Sequence, residues 1–578
     1  MHETLPARFL ANARRLASQV AHYYPAHGHW FPVGWATMAG IVRDIASGLV
    51  ELGQQPCEPV ALISGSRREW TYVDLAIMSA GGVTLALDPS LAAEYRDPLL
   101  ARGEIRICIV DTEDLLRQLL QSRQLPHLEH IVVLEPAAAR TDDRRVISYD
   151  RLLRIGRQAG HDIDARIAGL SPMDAAMFLC TSGTTGPPRS AMLTHGNLTA
   201  SMRALGTLDM TSSDLGFTSA PLTHAFPRVF QYLGLWQGTQ TCHARGNEHL
   251  VADLMKMRPT VMVTAPRVLE DLYSSVYEDM YALAAGRKLL TWASKIGKHA
   301  VRQRRYGRRV APALEAQLQL ARRLVFNRLR TCLGGRMRQI YVSGGVIAPH
   351  LVHSLEACGV HVATSWSMAE TCGVGTMTQP GDIGEDHLVA TVGRPLPGVE
   401  LMLAEDGELL VRGGCVFSGY FQAEADTRTA FAASGYLRTG DVARVDSRGC
   451  YYIVDRKRDL IVTQSGTQVA PGALESLVRA DPRITQVVVV GHGRPHLVAL
   501  IAVHPSLRQI FNENTIEAMV EEMVGTINVD LERARQIRDF RLLPYELSRD
   551  SGELAQLWQL KRDLICERFS YLIEEMYE

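Results

Sequence analysis

No apolar run in the 578-residue sequence stays uncharged for the roughly 20 residues that a membrane-crossing helix needs. The stretch Leu75–Leu87 is too short and reads as a buried helix. The first residues, MHETLPARFLANARR, lack the apolar core of a signal peptide, so a cytoplasmic location is expected. Ten cysteines are scattered singly, with no CxxC pair among them. That spacing fits reduced, buried thiols and leaves no ligand pairs for a structural zinc site. Charge of either sign is also not in surplus. Lys and Arg total 61 against 62 Asp and Glu, which argues against nucleic acid as a partner. Internal repeats and low-complexity linkers are missing too.

What is present is ordinary globular composition, 46% hydrophobic and 21% charged. Short β-rich runs alternate with helical patterns: VALIS (60–64), VTLAL (83–87), ICIVD (107–111) and HIVVLE (130–135). This rhythm predicts a parallel sheet covered by helices. ELMLAEDGELLVRG (400–413) predicts a hairpin turning at Asp-Gly, and 449–462 a strand, a turn and a second strand. The pattern then restarts on a smaller scale. A helix is expected at 473–480, strands at 485–491 and 496–504, and helices at 516–536 and 557–576. Two domains are expected, 1–457 and 458–578, joined near Arg456–Arg458.

Between Arg287 and Arg338 there are 15 Lys or Arg and one acid, Glu315. A solvated helical hairpin is the plain reading. A face for an anionic membrane surface, at the inner face of the membrane, is the sharper one. Contact with coenzyme phosphates or RNA is a third.

The most informative segment is MFLCTSGTTGPPRSAMLTHGNL (177–198). A strand runs into Thr181, Ser182, Gly183, Thr184, Thr185 and Gly186, and Arg189 follows two prolines. Glycines let backbone N–H groups approach an anion, hydroxyls add donors, and a basic side chain adds charge. The same small residues also describe a surface turn, and the Walker A pattern does not fit. Thr194 and Asn197 read as a helix start with a capping side chain.

The order of residues in 177–198 resembles the signature loop of the adenylate-forming superfamily of acyl-CoA synthetases, peptide-synthetase adenylation domains and luciferases. Further matches follow in order. SGSRREW (64–70), SAPLTHAFPRV (219–229) and PTVMVTAPRVLEDLY (259–273) are similar to segments of long-chain fatty acyl-CoA synthetases. In that family the second lines the carboxylate and acyl-entry region, with His224 and Arg228 at its polar positions; either also reads as a structural residue. YVSGGVIAPH (341–350) resembles the turn whose backbone meets adenine, at Gly344, Gly345 and Val346. SWSMAET (365–371) resembles the motif that stacks adenine, here through Trp366, and supplies a magnesium-binding carboxylate, here Glu370. Thr184 is the second implied metal-site residue. GYLRTGDVARVDSRGCYYIVDRKRDLIV (435–462) carries the resemblance furthest. It implies that Asp441 and Arg456 hold the ribose and that Arg458 is the hinge.

The resemblance spans about residues 30 to 577. It implies an α/β fold with αβ-layered subdomains and a small β-barrel-like region in the large domain, and a smaller, mobile α+β C-terminal domain. It implies ATP, Mg²⁺ and coenzyme A, or the phosphopantetheine of an acyl carrier protein, as cofactors and acceptor. The implied reaction turns a medium- to long-chain fatty acid into an acyl-adenylate and then a thioester. His224, Glu370, Arg458 and Gln559 are the implied catalytic positions.

Trp366 stands where the family pattern has tyrosine and Ser367 where it has glycine, and four further departures bear on the chemistry. Arg189 stands for a lysine and Ala369 for a threonine, and Val462 replaces a lysine common near the hinge. Gln559 falls where the catalytic lysine belongs, in the register fixed by Gly552, Leu554, Arg562 and Met576-Tyr577; Lys561 lies two residues on. Losing one preorganised donor to the transferring group costs about 3–4 kcal/mol. Two alternatives therefore stand beside the ligase. One is an adenylation-impaired relative that binds nucleotide or acyl groups; the other is a ligase with an amine or hydroxyl acceptor.

Overall fold

A computed structural model describes residues 3–135, 141–181, 189–305, 307–345, 347–379, 382, 391–479, 481, 483–529, 531–548, 551–554 and 560–578. The architecture is α/β. An eight-stranded sheet carries six parallel strands, among them Pro59–Ile63, Val83–Leu87, Ile107–Val110 and Ala175–Thr181. Its Val- and Ile-rich strands are buried along their whole length, as expected where helices cover both faces. The apolar stretch 75–87 is not one helix. It is the end of Arg68–Ser79, a turn at Gly81 with φ near +90°, and the strand Val83–Leu87. The glycine breaks the helix where no side chain sits easily.

A nine-stranded sheet lies beside it, with Leu215–Thr218, Val261–Thr264, Gln339–Val342 and His361–Trp366 parallel at its centre. The hairpin Val20–Ala26/His29–Gly34 closes one edge. A four-stranded antiparallel sheet contains the 400–413 hairpin and the strands Leu437–Val445 and Tyr451–Arg456. The C-terminal ends of the parallel strands, the four-stranded sheet and the hairpin Ala175–Thr181/Arg189–Thr194 position the candidate site.

The C-terminal portion has its own two apolar clusters, built only from residues 461–577. The strands Ile484–Val490 and Leu497–Val503 fall where expected. The helix expected at 516–536 is Glu513–Val529 with a short 3-10 turn at Arg533–Arg535, and an edge strand for which no element was expected, Ile537–Leu542, runs parallel to Leu497–Val503. The Asn528 side chain makes that switch, accepting from Ile537 N and donating to Ile537 O. The helix expected at 557–576 is two short ones, Arg562–Arg568 and Ser570–Glu575, interrupted at Phe569. No helix among the described residues is long and apolar enough to cross a membrane, and no three His, Cys, Asp or Glu side chains cluster as a metal site. All ten cysteines are free thiols.

Candidate active site

The strand Ala175–Thr181 turns back antiparallel into Arg189–Thr194, with Thr181 opposite Arg189. Ser182, Gly183, Thr184, Thr185 and Gly186, expected to contact phosphate, lie outside the described residues. Thr194 opens the following helix with a complete capping box to Asn197.

Arg189 is half exposed, 3.1 Å from Asp426, and its guanidinium lies over the Tyr420 ring. The short strand Gly419–Tyr420 pairs with the Arg189 strand and brings that ring alongside. The Tyr420 hydroxyl donates to Glu370 at 2.7 Å. Glu370 is buried, and burial pushes its carboxyl above the usual range against the pull of the Tyr420 hydrogen bond. Neither Tyr420 nor Asp426 stands out in the sequence.

Trp366 ends the strand His361–Trp366. A Cβ on Gly375 would fall 2.7 Å from its ring, so glycine there permits close packing on the indole. The indole N–H donates to Asp441 at 2.7 Å. Asp441 pairs in register with Arg456 across two strands, and Arg456 Nε sits 2.8 Å from its other oxygen. Burial pushes the Asp441 carboxyl up, while Arg456, Trp366 and, more weakly, Arg458 hold it down. A carboxylate has about four lone-pair positions, so two partners leave acceptor capacity on both oxygens. Arg458 is half exposed, 3.5 Å from Asp459.

Gly344, with φ near +91°, follows the strand Gln339–Val342. Ser343 approaches Ser367 at 3.5 Å, which joins this turn to the Trp366 loop. Gly345 faces the Pro266 ring, and Val346 lies outside the described residues. His224 is the N-cap residue of the helix Ala225–Gln237, half-buried. The Glu370 loop packs on that helix start: a Cβ on Gly373 would meet the Ala225 backbone at 3.0 Å.

Arg228 takes the structural role of its two readings. It is fully buried, pairs with Asp74 at 2.5 Å and donates to Tyr232, whose hydroxyl also donates to Asp74. Gln559 lies outside the described residues, in a segment bounded by the bridged pair Leu554 and Leu560. Lys561 is exposed at the N-cap of the next helix, its N–H bonded to Glu553 O. Arg562 makes a bidentate pair with Glu475 at 2.7 and 2.8 Å.

The structure thus gathers Arg189, Glu370, Trp366, Asp441 and Arg456 through direct contacts and their shared strands. Such a set can offer a hard oxygen ligand, an aromatic wall and a hydroxyl-accepting carboxylate.

Comparison with known proteins extends the likeness over the whole chain. The family model "AMP-binding enzyme" matches residues 9–421, and "AMP-binding enzyme C-terminal domain" matches 458–578. Long-chain-fatty-acid–CoA ligase FadD15 of Mycobacterium bovis is 30% identical over 599 residues, covering 100% of this chain and 97% of its own. The peroxisomal long chain acyl-CoA synthetase 6 of Arabidopsis thaliana is 27% identical, with 100% and 85% covered. Among solved structures, the anthranilate CoA ligase AuaEII in complex with anthranoyl-AMP aligns with TM-score 0.77 at 18% identity, over 99% of this chain and 98% of that one. The A domain of a carboxylic acid reductase from Segniliparus rugosus, in complex with AMP and a co-purified carboxylic acid, aligns with TM-score 0.79 at 18% identity, over 99% and 94%. The fold is that of these enzymes: large αβ sheets, a half-barrel and a smaller C-terminal domain.

Proposed function

The chain belongs to the AMP-binding, adenylate-forming enzymes, related over its full length to long-chain fatty acid–CoA ligases, and from that premise we propose that it activates a medium- to long-chain fatty acid with ATP. The acid's carboxylate attacks the α-phosphorus, a P–O bond forms, and the bond to pyrophosphate breaks. A thiol then attacks the acyl carbon and AMP leaves. Coenzyme A is the proposed acceptor; a carrier-protein phosphopantetheine serves the same chemistry.

One observation carries this reading. Buried Glu370 and Asp441, Trp366, Arg456 and Arg189 converge within a chain that matches fatty acyl ligases from end to end. Asp441 and Arg456 are proposed to take the ribose and Trp366 the adenine, with Gly344 and Gly345 along its edge. The donor set suits magnesium. Glu370 is a buried carboxylate whose nearest partner is a neutral phenol, so it is short of positive charge, which a hard, oxygen-seeking cation beside phosphate oxygens supplies. Mg²⁺ there would offset phosphate charge. Arg189 contributes charge to the same phosphates from the hairpin, and His224 lines the acyl carboxylate's approach. The small domain, from residue 458, is proposed to turn about Arg458 between the two steps.

Gln559 with Ala369 favours a second reading, a relative with impaired adenylation that binds nucleotide or acyl groups. One experiment decides. The protein is incubated with MgATP, a panel of fatty acids and coenzyme A, and acyl-AMP and acyl-CoA are followed by mass spectrometry beside Gln559→Lys. Wild-type acyl-CoA at a rate within ten-fold of Gln559→Lys supports the ligase. No product from wild type, with adenylation by Gln559→Lys, supports the binding protein. Acyl-AMP that coenzyme A leaves unconsumed points to a carrier thiol, an amine or a hydroxyl as acceptor.

A further inference from the structure

Residues 417–421 join two charged groups of the site that lie far apart in sequence. Phe417 N donates to the Glu370 carbonyl at 2.8 Å, and Phe421 N donates to the Ser190 carbonyl at 2.9 Å. Between them, Gly419 and Tyr420 pair with Met192 and Ala191. The segment is therefore tied at one end to the Glu370 loop and at the other to the strand that begins at Arg189. Its own shape is fixed locally. Tyr420 N donates to Thr427 Oγ1 at 2.9 Å, and a Cβ on Gly419 would come within 2.7 Å of the Thr427 methyl group. The Phe417 ring meets the Tyr420 ring edge-on, with centroids 4.8 Å apart, and Phe421 packs on Phe178 at 4.6 Å.

This frame holds Tyr420 between a carboxylate and a guanidinium. Its hydroxyl donates to Glu370 Oε1 at 2.7 Å, and Arg189 lies over its ring, 5.5 Å from the centroid. Among the described residues, no other side chain donates to Glu370. One firm donor on one oxygen sets the plane of a carboxylate and leaves the lone pairs of the other for a different partner. Arg189 is steadied in turn by Asp426 at 3.1 Å, from the helix Glu424–Ala430 that also carries Thr427. The hydroxyl thus sets the negative group and the ring face the positive one. Packing against Phe417 requires neither, since phenylalanine would fill the same space.

We propose that Tyr420 is a positioning residue of the site, holding the Glu370 carboxylate oriented for a divalent cation and seating the Arg189 guanidinium for the nucleotide phosphates. It acts through these two side chains. The assignment rests on the reading of this site as one for MgATP, and adds the residue that couples the cation to the phosphates.

The test is calorimetric titration of ATP into the full chain without fatty acid, in excess EDTA and over a series of Mg²⁺ concentrations, so no turnover is needed. Tyr420→Phe removes the hydroxyl and keeps the ring. A hydrogen bond to a charged group is worth a factor of about ten or more, so the Mg²⁺ concentration giving half of the affinity gain should rise by about ten-fold. ATP affinity in EDTA should stay within about two-fold of wild type, because the ring remains under Arg189. Tyr420→Leu removes the ring as well, and affinity in EDTA should then also fall, by about three-fold, the scale of an exposed cation–π contact. In a Glu370→Gln background, Tyr420→Phe should not move the Mg²⁺ response further, because hydroxyl and carboxylate act as one unit. Should Tyr420→Leu fail to fold, Tyr420→Phe decides alone. A tyrosine with only a structural role would lower both affinities together, and that result overturns the proposal. Wild type that gains ATP affinity from Mg²⁺, with Tyr420→Phe responding identically, overturns the proposal alone. Wild type that gains none overturns the MgATP reading together with it.

Discussion

At the residue scale, two side chains define what the site is and what it is not. Trp366 stands where the family pattern has tyrosine, and its indole N–H reaches Asp441 at 2.7 Å. The tryptophan thus positions the carboxylate proposed for the ribose as well as offering a ring. Trp366→Phe keeps an aromatic face and deletes the donor. A hydrogen bond to a charged group is worth about 1.5–3 kcal/mol, so nucleotide affinity should fall by roughly ten-fold or more, read by calorimetric titration with ATP. An unchanged affinity would show that Arg456 alone holds Asp441. Arg228 makes the opposite case. Its match to a family motif placed it at the acyl entry, but its guanidinium is spent on Asp74 and Tyr232 inside the core. Arg228→Met would strand the Asp74 charge. A cost of about 3–5 kcal/mol in urea unfolding is expected, and Arg228→Met with Asp74→Leu should recover much of it.

At the element scale, the strands were the legible part. VALIS, VTLAL, ICIVD and HIVVLE all lie in parallel strands, because a strand buried on both faces must be written in Val, Ile and Leu. The capping box at Thr194 was legible for a local reason, since side chain and backbone bond within one turn. Ile537–Leu542 was not legible, because its pairing with Leu497–Val503 is set by tertiary contact. The Tyr420–Glu370 bond was hidden for the same reason: 50 residues separate the partners. Two elements carry a pH prediction. His195 opens the helix His195–Leu205, 1% exposed, and burial lowers its pKa to about 4 against the pull of Asp174. His243, at a strand end, is buried and lowered to about 4 by the same cause. In the unfolded chain both titrate near 6.5. Between pH 6.5 and 4 the unfolded state therefore binds more protons, and acidification withdraws stability there. Each histidine should contribute roughly 1.4 kcal/mol per pH unit in that window and nothing above it. Urea unfolding at pH 7.5, 6 and 5 measures the slope, and His195→Asn should reduce it by about one proton.

At the scale of the whole molecule, the question is how two separately cored parts cooperate. The C-terminal clusters share no residue with the large core, and the chain passes from one to the other between Ile453 and Ile461. Hydrogen bonds cross this junction among the described residues. Gly472 N donates to Asp455 at 2.8 Å, and Arg267 donates to the Thr485 carbonyl at 3.1 Å. Each is a single hydrogen bond, which water can replace when the orientation changes. This is why one chain can be proposed to present different parts of its small domain to the same nucleotide. Arg458→Pro tests it. Proline fixes φ near −65° and removes the rotation that a hinge must absorb. Exchange of labelled pyrophosphate into ATP, which reports adenylation, should stay within about two-fold of wild type if the present arrangement serves that step. Thiol-dependent product should fall by about ten-fold or more, because the second arrangement is denied. Equal loss of both would mean that Arg458 acts as a ligand to substrate, and equal retention would place the turning point elsewhere in the chain.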